Sequence, residues 1–216
     1  EDIRNDDETG TVITVPAAFN QMQKDATMAA AQAAGIGRVA LMQEPVAAVM
    51  SVMRQRNSDG IFVVFDLGGG TLDIAIAEST SGRVSLLAHG GIAMCGGRDF
   101  DRMLFDSVVK PWLLERFDLP ENLNEFGQFQ KLKGICEWAA EKAKIQLSQR
   151  DSAAISLDDS ELGVRDQSGE DVYLDIEIDR AQFDALIAEK IDEAIQSTRE
   201  TLEKAGLTPH DVERIV

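Results

Sequence analysis

The sequence predicts an α/β protein, and three observations carry that prediction. Short β-branched runs alternate with helix-forming stretches rich in Ala, Met and Leu. After "CGGRDFD" (Cys95 to Asp101) the apolar pattern changes from strict alternation to the period of about 3.6 that marks a helix. Between those regimes, "FDLGGGTLDIAI" (Phe65 to Ile76) interrupts buried-type residues with three glycines and two acids. Glycine loses the most backbone entropy on folding, so this cluster points to a place where something approaches the backbone closely.

The elements follow in order. "TVITVP" (Thr11 to Pro16) reads as a buried strand ended by proline. Asn20 caps a helix running to Ala34, where Gly35 stops it. "EPVAAVMSVMRQR" (Glu44 to Arg56) starts a second helix with Pro45 in its first turn, where the missing N–H costs nothing. Three strands form a meander: Ile61 to Asp66, Leu72 to Ser79 and Arg83 to Gly90, with "TSGR" as the tight turn between the last two.

Phe100, Leu104, Val108 and Trp112 space the next helix, and a long one runs from about Phe126 to Leu147. Strands at Ile155 to Leu157 and Val172 to Ile178 come next. Asp179 with Gln182 resembles a capping box, opening a helix to Lys204 that closes at Gly206. Thr208 and Pro209 start a short helix, and Arg214 to Val216 begin another strand. The block from about Gly97 to Glu177 has helices and strands of its own and reads as an insertion between two parts of one sheet domain. Met22, Met28, Met42, Met50 and Met53 and both tryptophans, Trp112 and Trp138, read as core packing, and the acids Asp158, Asp159, Glu161, Glu170 and Asp171 as solvated loop residues.

Composition limits function. A net charge of -17 argues against nucleic acid and against anionic membrane surfaces as partners. Cys95 and Cys136 make no disulfide framework, and His89 and His210 have no neighbours at metal-ligand spacing, so a reducing cytoplasm is the expected compartment and zinc is not expected. The acidic opening "EDIRNDDETG" is no signal peptide, and with the ending "DVERIV" it reads as the edge of a longer protein.

The glycine turn carries the chemistry. Gly68, Gly69 and Gly70 leave backbone N–H groups uncovered, a concave nest suited to phosphate oxygens. Asp66, at the strand end, can hold Mg²⁺ through its waters. Thr71 adds a hydroxyl, and strand alternation puts Asp73 on the same side. The turn is neither a Walker loop nor GxGxxG, and it enters a strand rather than a helix. A plain glycine-rich hairpin with a stray acid is the alternative. Glu141, Lys144 and Ser148 share one face of the long helix, either as a ligand face or as a solvated face with a Glu–Lys pair worth a few tenths of a kcal/mol.

"VITVPAAFN", "EPVAAV", "FDLGGGTLDI", "GGRDFD" and "AAEKAKIQLS", in that order and spacing, resemble the ATPase domain of the DnaK-type 70-kDa heat-shock chaperones. The likeness runs from about Gly10 to Val216. It implies a partial actin-like ATPase (ribonuclease H-like) fold: residues 1–56 as the end of lobe I (subdomain IA), 57–96 with 178–216 as the lobe II sheet domain (IIA), and 97–177 as an inserted α+β subdomain (IIB).

It also implies ATP or ADP with Mg²⁺ as cofactors. Asp66 would position Mg²⁺ and the attacking water, Gly68 to Gly70 would grip the β- and γ-phosphates, and Thr71 would stand near the γ-phosphate. Glu44 would order Mg²⁺-bound water, with Pro16 and Lys24 as parts of an interdomain switch. Gly96 and Gly97 would let backbone close over the phosphates, and Glu141, Lys144 and Ser148 would hold the adenosine.

The implied function is a molecular chaperone that couples MgATP hydrolysis to unfolded-peptide binding. Its implied partners are peptide clients held by a separate substrate-binding domain, a J-domain co-chaperone, and a nucleotide-exchange factor acting at 97–177. The first phosphate loop and the last adenosine loop of the family lie outside this sequence, so the piece alone is expected to be inactive.

Four positions depart from the family pattern: Ala18 for tyrosine, Lys24 for arginine, Gln43 for asparagine and Val46 for threonine; Ile145 stands where some members have arginine. Lysine keeps arginine's charge but loses its bidentate geometry. None of the departures removes Asp66, Thr71 or Glu44, so they describe a divergent member of bacterial type. An actin-like filament ATPase, or a sugar or acetate kinase of the same superfamily, are the competing readings. The order of "EPVAA", "DLGGGT" and "EKAKIQLS" favours the chaperone over both.

Overall fold

The computed structural model describes residues 10–53 and 59–216 and divides the chain into two compact units. Arg54 to Arg56, the end of the second expected helix, lie outside the described residues, as do positions 1–9.

Among the described residues, the first unit comprises 10–53, 59–67, 72–92 and 194–216. Strand β1 (Thr11–Val15) stops at Pro16, which has no N–H for a ladder. Asn20 then caps α1 (Gln21–Ala33): its side chain accepts the Gln23 N–H at 3.0 Å, and its own N–H donates to Gln23 Oε1 at 2.9 Å. β2 (Val39–Gln43), which periodicity did not reveal, pairs parallel with β1 and runs straight into α2 (Glu44–Met53). Five residues with little alternation carry a weak strand signal, and the parallel partner supplies what they lack.

The meander forms with longer strands than expected: β3 (Gly60–Leu67), β4 (Thr71–Thr80) and β5 (Arg83–Ala93). After the second unit the chain returns through the end of α7 (Arg180–Lys204), whose capping box joins Asp179 to Gln182 at 2.7 and 3.0 Å. A 3₁₀ turn (Pro209–Asp211) leads to β8 (Val212–Ile215), which lies parallel to β3 and gives the sheet order β5-β4-β3-β8. Val49 and Met53 of α2 pack on Phe62, Val64, Ala75 and Ala77 of this sheet, forming the core beneath the acidic pocket described below.

The second unit comprises residues 68–71 and 93–193. Helix α3 (Gly97–Leu104) passes into a π-helical turn (Phe105–Val109) and then α4 (Lys110–Arg116). The expected stripe Phe100, Leu104, Val108 and Trp112 is corrected by that turn. Its i→i+5 bonding adds one residue, so the buried positions become Phe100, Leu104, Phe105, Val109 and Leu113.

Helix α5 (Gly127–Leu147) packs on β6 (Ser152–Leu157), which pairs antiparallel with β7 (Leu174–Asp179). Strict alternation buries Ala153, Ile155 and Leu157 opposite Ile178, Ile176 and Leu174. Asp158 and Glu161 are not plain loop acids: they form the capping box of α6 (Asp159–Leu162). Asp171 pairs with Arg165 at 2.7 Å.

Three residues expected in the core are not there. Met22 is 77% exposed, Met50 43% and Trp138 49%. Each sits on an outward helical face, and Trp138 is covered by the Lys142 ammonium 3.4 Å above its ring centroid. Cys95 and Cys136 are buried free thiols, and burial pushes Cys136 up to about 12. Among the described residues, no helix is long and apolar enough to cross a membrane.

Candidate functional site

Two structural features collect the residues singled out by sequence, one in each unit. In the first unit, Asp66 near the end of β3 stands directly opposite Asp73 on β4 in the antiparallel ladder. Opposed residues share a face with Cβ atoms about 5 Å apart, so two carboxylates are held side by side, an arrangement that by itself destabilises the sheet. Glu44, the first residue of α2, joins them on the wall of a cavity of about 230 Å³. Ala17, Ala18, Pro45, Ala48, Val64, Phe65, His89 and Val216 also line it. Burial first, then the charges of Asp66 and Asp73, raises the Glu44 carboxyl above its ordinary value of 4.5.

Three carboxylates at an accessible cavity fit a hydrated cation. Among the described residues, no group of three His, Cys, Asp or Glu side chains converges to ligate a metal directly. Mg²⁺ sheds its waters reluctantly and is commonly held through them, so the donor set suits that ion in its hydrated form.

In the second unit the glycine hairpin is held by its carbonyls. Met94 N–H donates to Gly70 O at 3.0 Å, Gly97 N–H to Gly68 O at 2.9 Å, and Arg98 N–H to Gly69 O at 2.8 Å. Within the hairpin, Gly68 N–H donates to Thr71 O at 2.9 Å. With the carbonyls turned toward the 94–98 segment, the N–H groups of Gly69 and Gly70 take no backbone partner among the described residues. That is the arrangement of an anion nest.

Gly96 fixes the approach. A Cβ there would collide with the backbone of Gly68, Gly69 and Gly70, which no side-chain movement can relieve. Gly96 and Gly97 therefore pack on the glycine hairpin itself.

Of the three residues on the α5 face, Lys144 is committed to the fold. Its Nζ donates to Gly97 O at 2.9 Å and meets Asp101 Oδ1 at 2.6 Å, tying α5 to the start of α3. Glu141 is exposed and lines a pocket with Arg98, Arg102, Glu137 and Trp138; Ser148 is exposed and caps the end of α5. In the first unit, Lys24 is half-buried on α1, Pro16 follows β1, Gln43 ends β2 and Val46 lies in the first turn of α2. Sequence reasoning missed the direct Asp66–Asp73 opposition, which needs the register, and it missed Arg98, which no spacing rule marks.

A mixed α/β chain with three acids at a cavity and free backbone N–H groups at a glycine hairpin carries groups chemically suited to a hydrated cation and to phosphate oxygens. The comparison with known proteins narrows this reading. The Hsp70 protein family model matches residues 1–216, so the chain belongs to the Hsp70 family. It is 36% identical over 209 residues to a chaperone protein DnaK of Trichormus variabilis, covering 96% of this chain and 29% of that protein. It is 36% identical over 207 residues to chaperone protein HscA of Pectobacterium carotovorum, covering 96% of this chain and 30% of that protein. A DnaK of Deinococcus proteolyticus is 33% identical over 208 residues, covering 96% of this chain and 32% of that protein. The chain spans less than a third of the length of these relatives.

Proposed function

We propose that this chain supplies part of the MgATP-binding and ATP-hydrolysing domain of a DnaK-type chaperone, with the actin-like fold of that family. In this reading residues 1–56 close lobe I, 57–96 with 178–216 form the sheet domain of lobe II, and 97–177 form its inserted subdomain. Membership of the Hsp70 family supports the activity. The observation that carries it at the residue level is the acid trio, because Asp66 and Asp73 are opposed in the ladder and Glu44 joins them, a charge cluster that a cation would relieve.

The residues divide the work. Gly68, Gly69, Gly70 and Thr71 bind the phosphate tail through backbone N–H groups and a hydroxyl, on a hairpin braced by Gly96 and Gly97. Asp66 and Glu44 would hold the waters of Mg²⁺, which when bound would neutralise charge on the phosphates, and Asp66 would orient the water that attacks the γ-phosphate. Glu141 and Ser148 contact the nucleoside, while Lys144 holds α5 against Gly97 and Asp101 for that purpose. Ala18 on the cavity wall leaves more room than the family's tyrosine.

Hydrolysis is coupled to the capture of unfolded peptide through Pro16, Lys24 and Glu44, in a cytoplasmic protein stimulated by a J-domain partner and reset by an exchange factor acting at residues 97–177. The test is ATP turnover by the full-length protein, with and without an unfolded apolar peptide and a J-domain. Stimulation by both is the expected result. Turnover that ignores both overturns the coupling and leaves an ATPase with another output.

A further inference from the structure

We propose that Arg98 contacts the nucleotide phosphates and supplies the cation that the glycine hairpin itself lacks; this rests on the nucleotide reading above. Arg98 is exposed, at the second position of α3, and its N–H is anchored to Gly69 O at 2.8 Å. Its side chain turns back over the same glycine: Nε lies 3.6 Å, and Cζ 4.0 Å, from where a Cβ on Gly69 would stand. Because residue 69 is glycine, nothing separates the guanidinium from the hairpin backbone.

Several of the charges nearest the hairpin are already engaged. Asp99 accepts the Gly96 N–H at 3.1 Å, and Asp101 is paired with Lys144. Lys144, the other cation beside these glycines, is held by that pair and by Gly97 O. Glu137 and Glu141 line the same pocket as Arg98, yet among the described residues Arg98 enters no ion pair.

Among the described residues, Arg98 therefore stands without an ion-pair partner beside backbone N–H groups that take no backbone acceptor. A guanidinium and an N–H nest both recognise phosphate oxygens, the first in bidentate fashion. Together they define a site for the charged end of a nucleoside polyphosphate, where binding strength rises with the number of phosphates.

The experiment measures equilibrium dissociation constants of adenosine, MgADP and MgATP for the full-length protein, wild type, R98A and R98K. For R98A, MgATP binding is expected to weaken about tenfold or more, the worth of a hydrogen-bonded charge contact. MgADP should weaken less and adenosine not at all. R98K should fall between, since an ammonium keeps the charge without the fork. A wild-type protein that binds MgATP, with R98A binding it equally well or weakening all three ligands alike, overturns the role of Arg98 and leaves the nucleotide reading standing. A wild-type protein that binds none of the three overturns that reading and this inference together.

Discussion

The acid trio of the first unit and the glycine hairpin of the second are built by opposite means. The trio concentrates side-chain charge on an ordinary ladder: Asp66, Asp73 and Glu44 could each be replaced without touching the backbone. The hairpin has almost no side chains to replace, and its shape depends on carbonyls bonded to Met94, Gly97 and Arg98 and on the missing Cβ of Gly96. The first arrangement costs electrostatic energy in the absence of a counter-ion; the second costs backbone entropy whether or not anything is bound. Substitution should therefore separate stability from activity in the trio and join them in the hairpin.

Gly96→Val should have the largest effect. The added carbons meet rigid backbone, so the protein should lose about 3 kcal/mol or more, the upper end of overpacking. Nucleotide binding should fall with it. Thermal unfolding with and without MgADP checks this, and a variant of normal stability would break the distinction drawn here. Asp66→Asn should do the reverse. Without Mg²⁺ the variant should be more stable by about 0.5 kcal/mol, because one of two opposed charges is gone. ATP turnover in the full-length protein should nevertheless drop about a hundredfold or more, as for loss of a group positioning the nucleophile.

Glu44 gives the pH dependence. Its carboxyl is raised in the folded state, by burial first and then by Asp66 and Asp73, so folding favours the protonated form. That contribution is fully present below the ordinary value of 4.5 and is lost as pH rises through the higher folded value. Glu44→Gln should accordingly be more stable than wild type at pH 7 to 8 in the absence of Mg²⁺, with the gap closing on acidification. Denaturant titrations at several pH values test it, and a gap that widens at low pH would reverse the sign. The smallest effect belongs to Lys142→Ala, which removes the ammonium from the exposed Trp138 ring at a cost of about 0.5 kcal/mol and should alter indole fluorescence with nucleotide binding unchanged.

Much of this was legible in residue order, because the signals are local. The Asn20–Gln23 and Asp179–Gln182 capping boxes, the meander around "TSGR" and the long α5 are fixed by residues within a few positions of one another. A further capping box, Asp158 with Glu161, has the same kind of signature and sits where a plain loop was expected. β2 was not legible, since its five residues depend on a parallel partner that is distant in sequence. Nor was the π turn, which moved the buried stripe from Val108 to Val109. Helical period alone also does not say which face looks outward, and so Met22, Met50 and Trp138 were misassigned to the core.

The sequence by itself determined the kinds of groups present: a glycine hairpin, acids at the strand ends, and a helix face carrying Glu141, Lys144 and Ser148. Only the tertiary structure decided what each group faces. Register set Asp66 against Asp73, packing closed Gly96 onto the hairpin, and Lys144 was turned inward to Asp101 while Arg98 was left over Gly69. The reason is that partners in these contacts are brought together by ladder register and helix packing, both set by the whole buried core rather than by neighbouring residues.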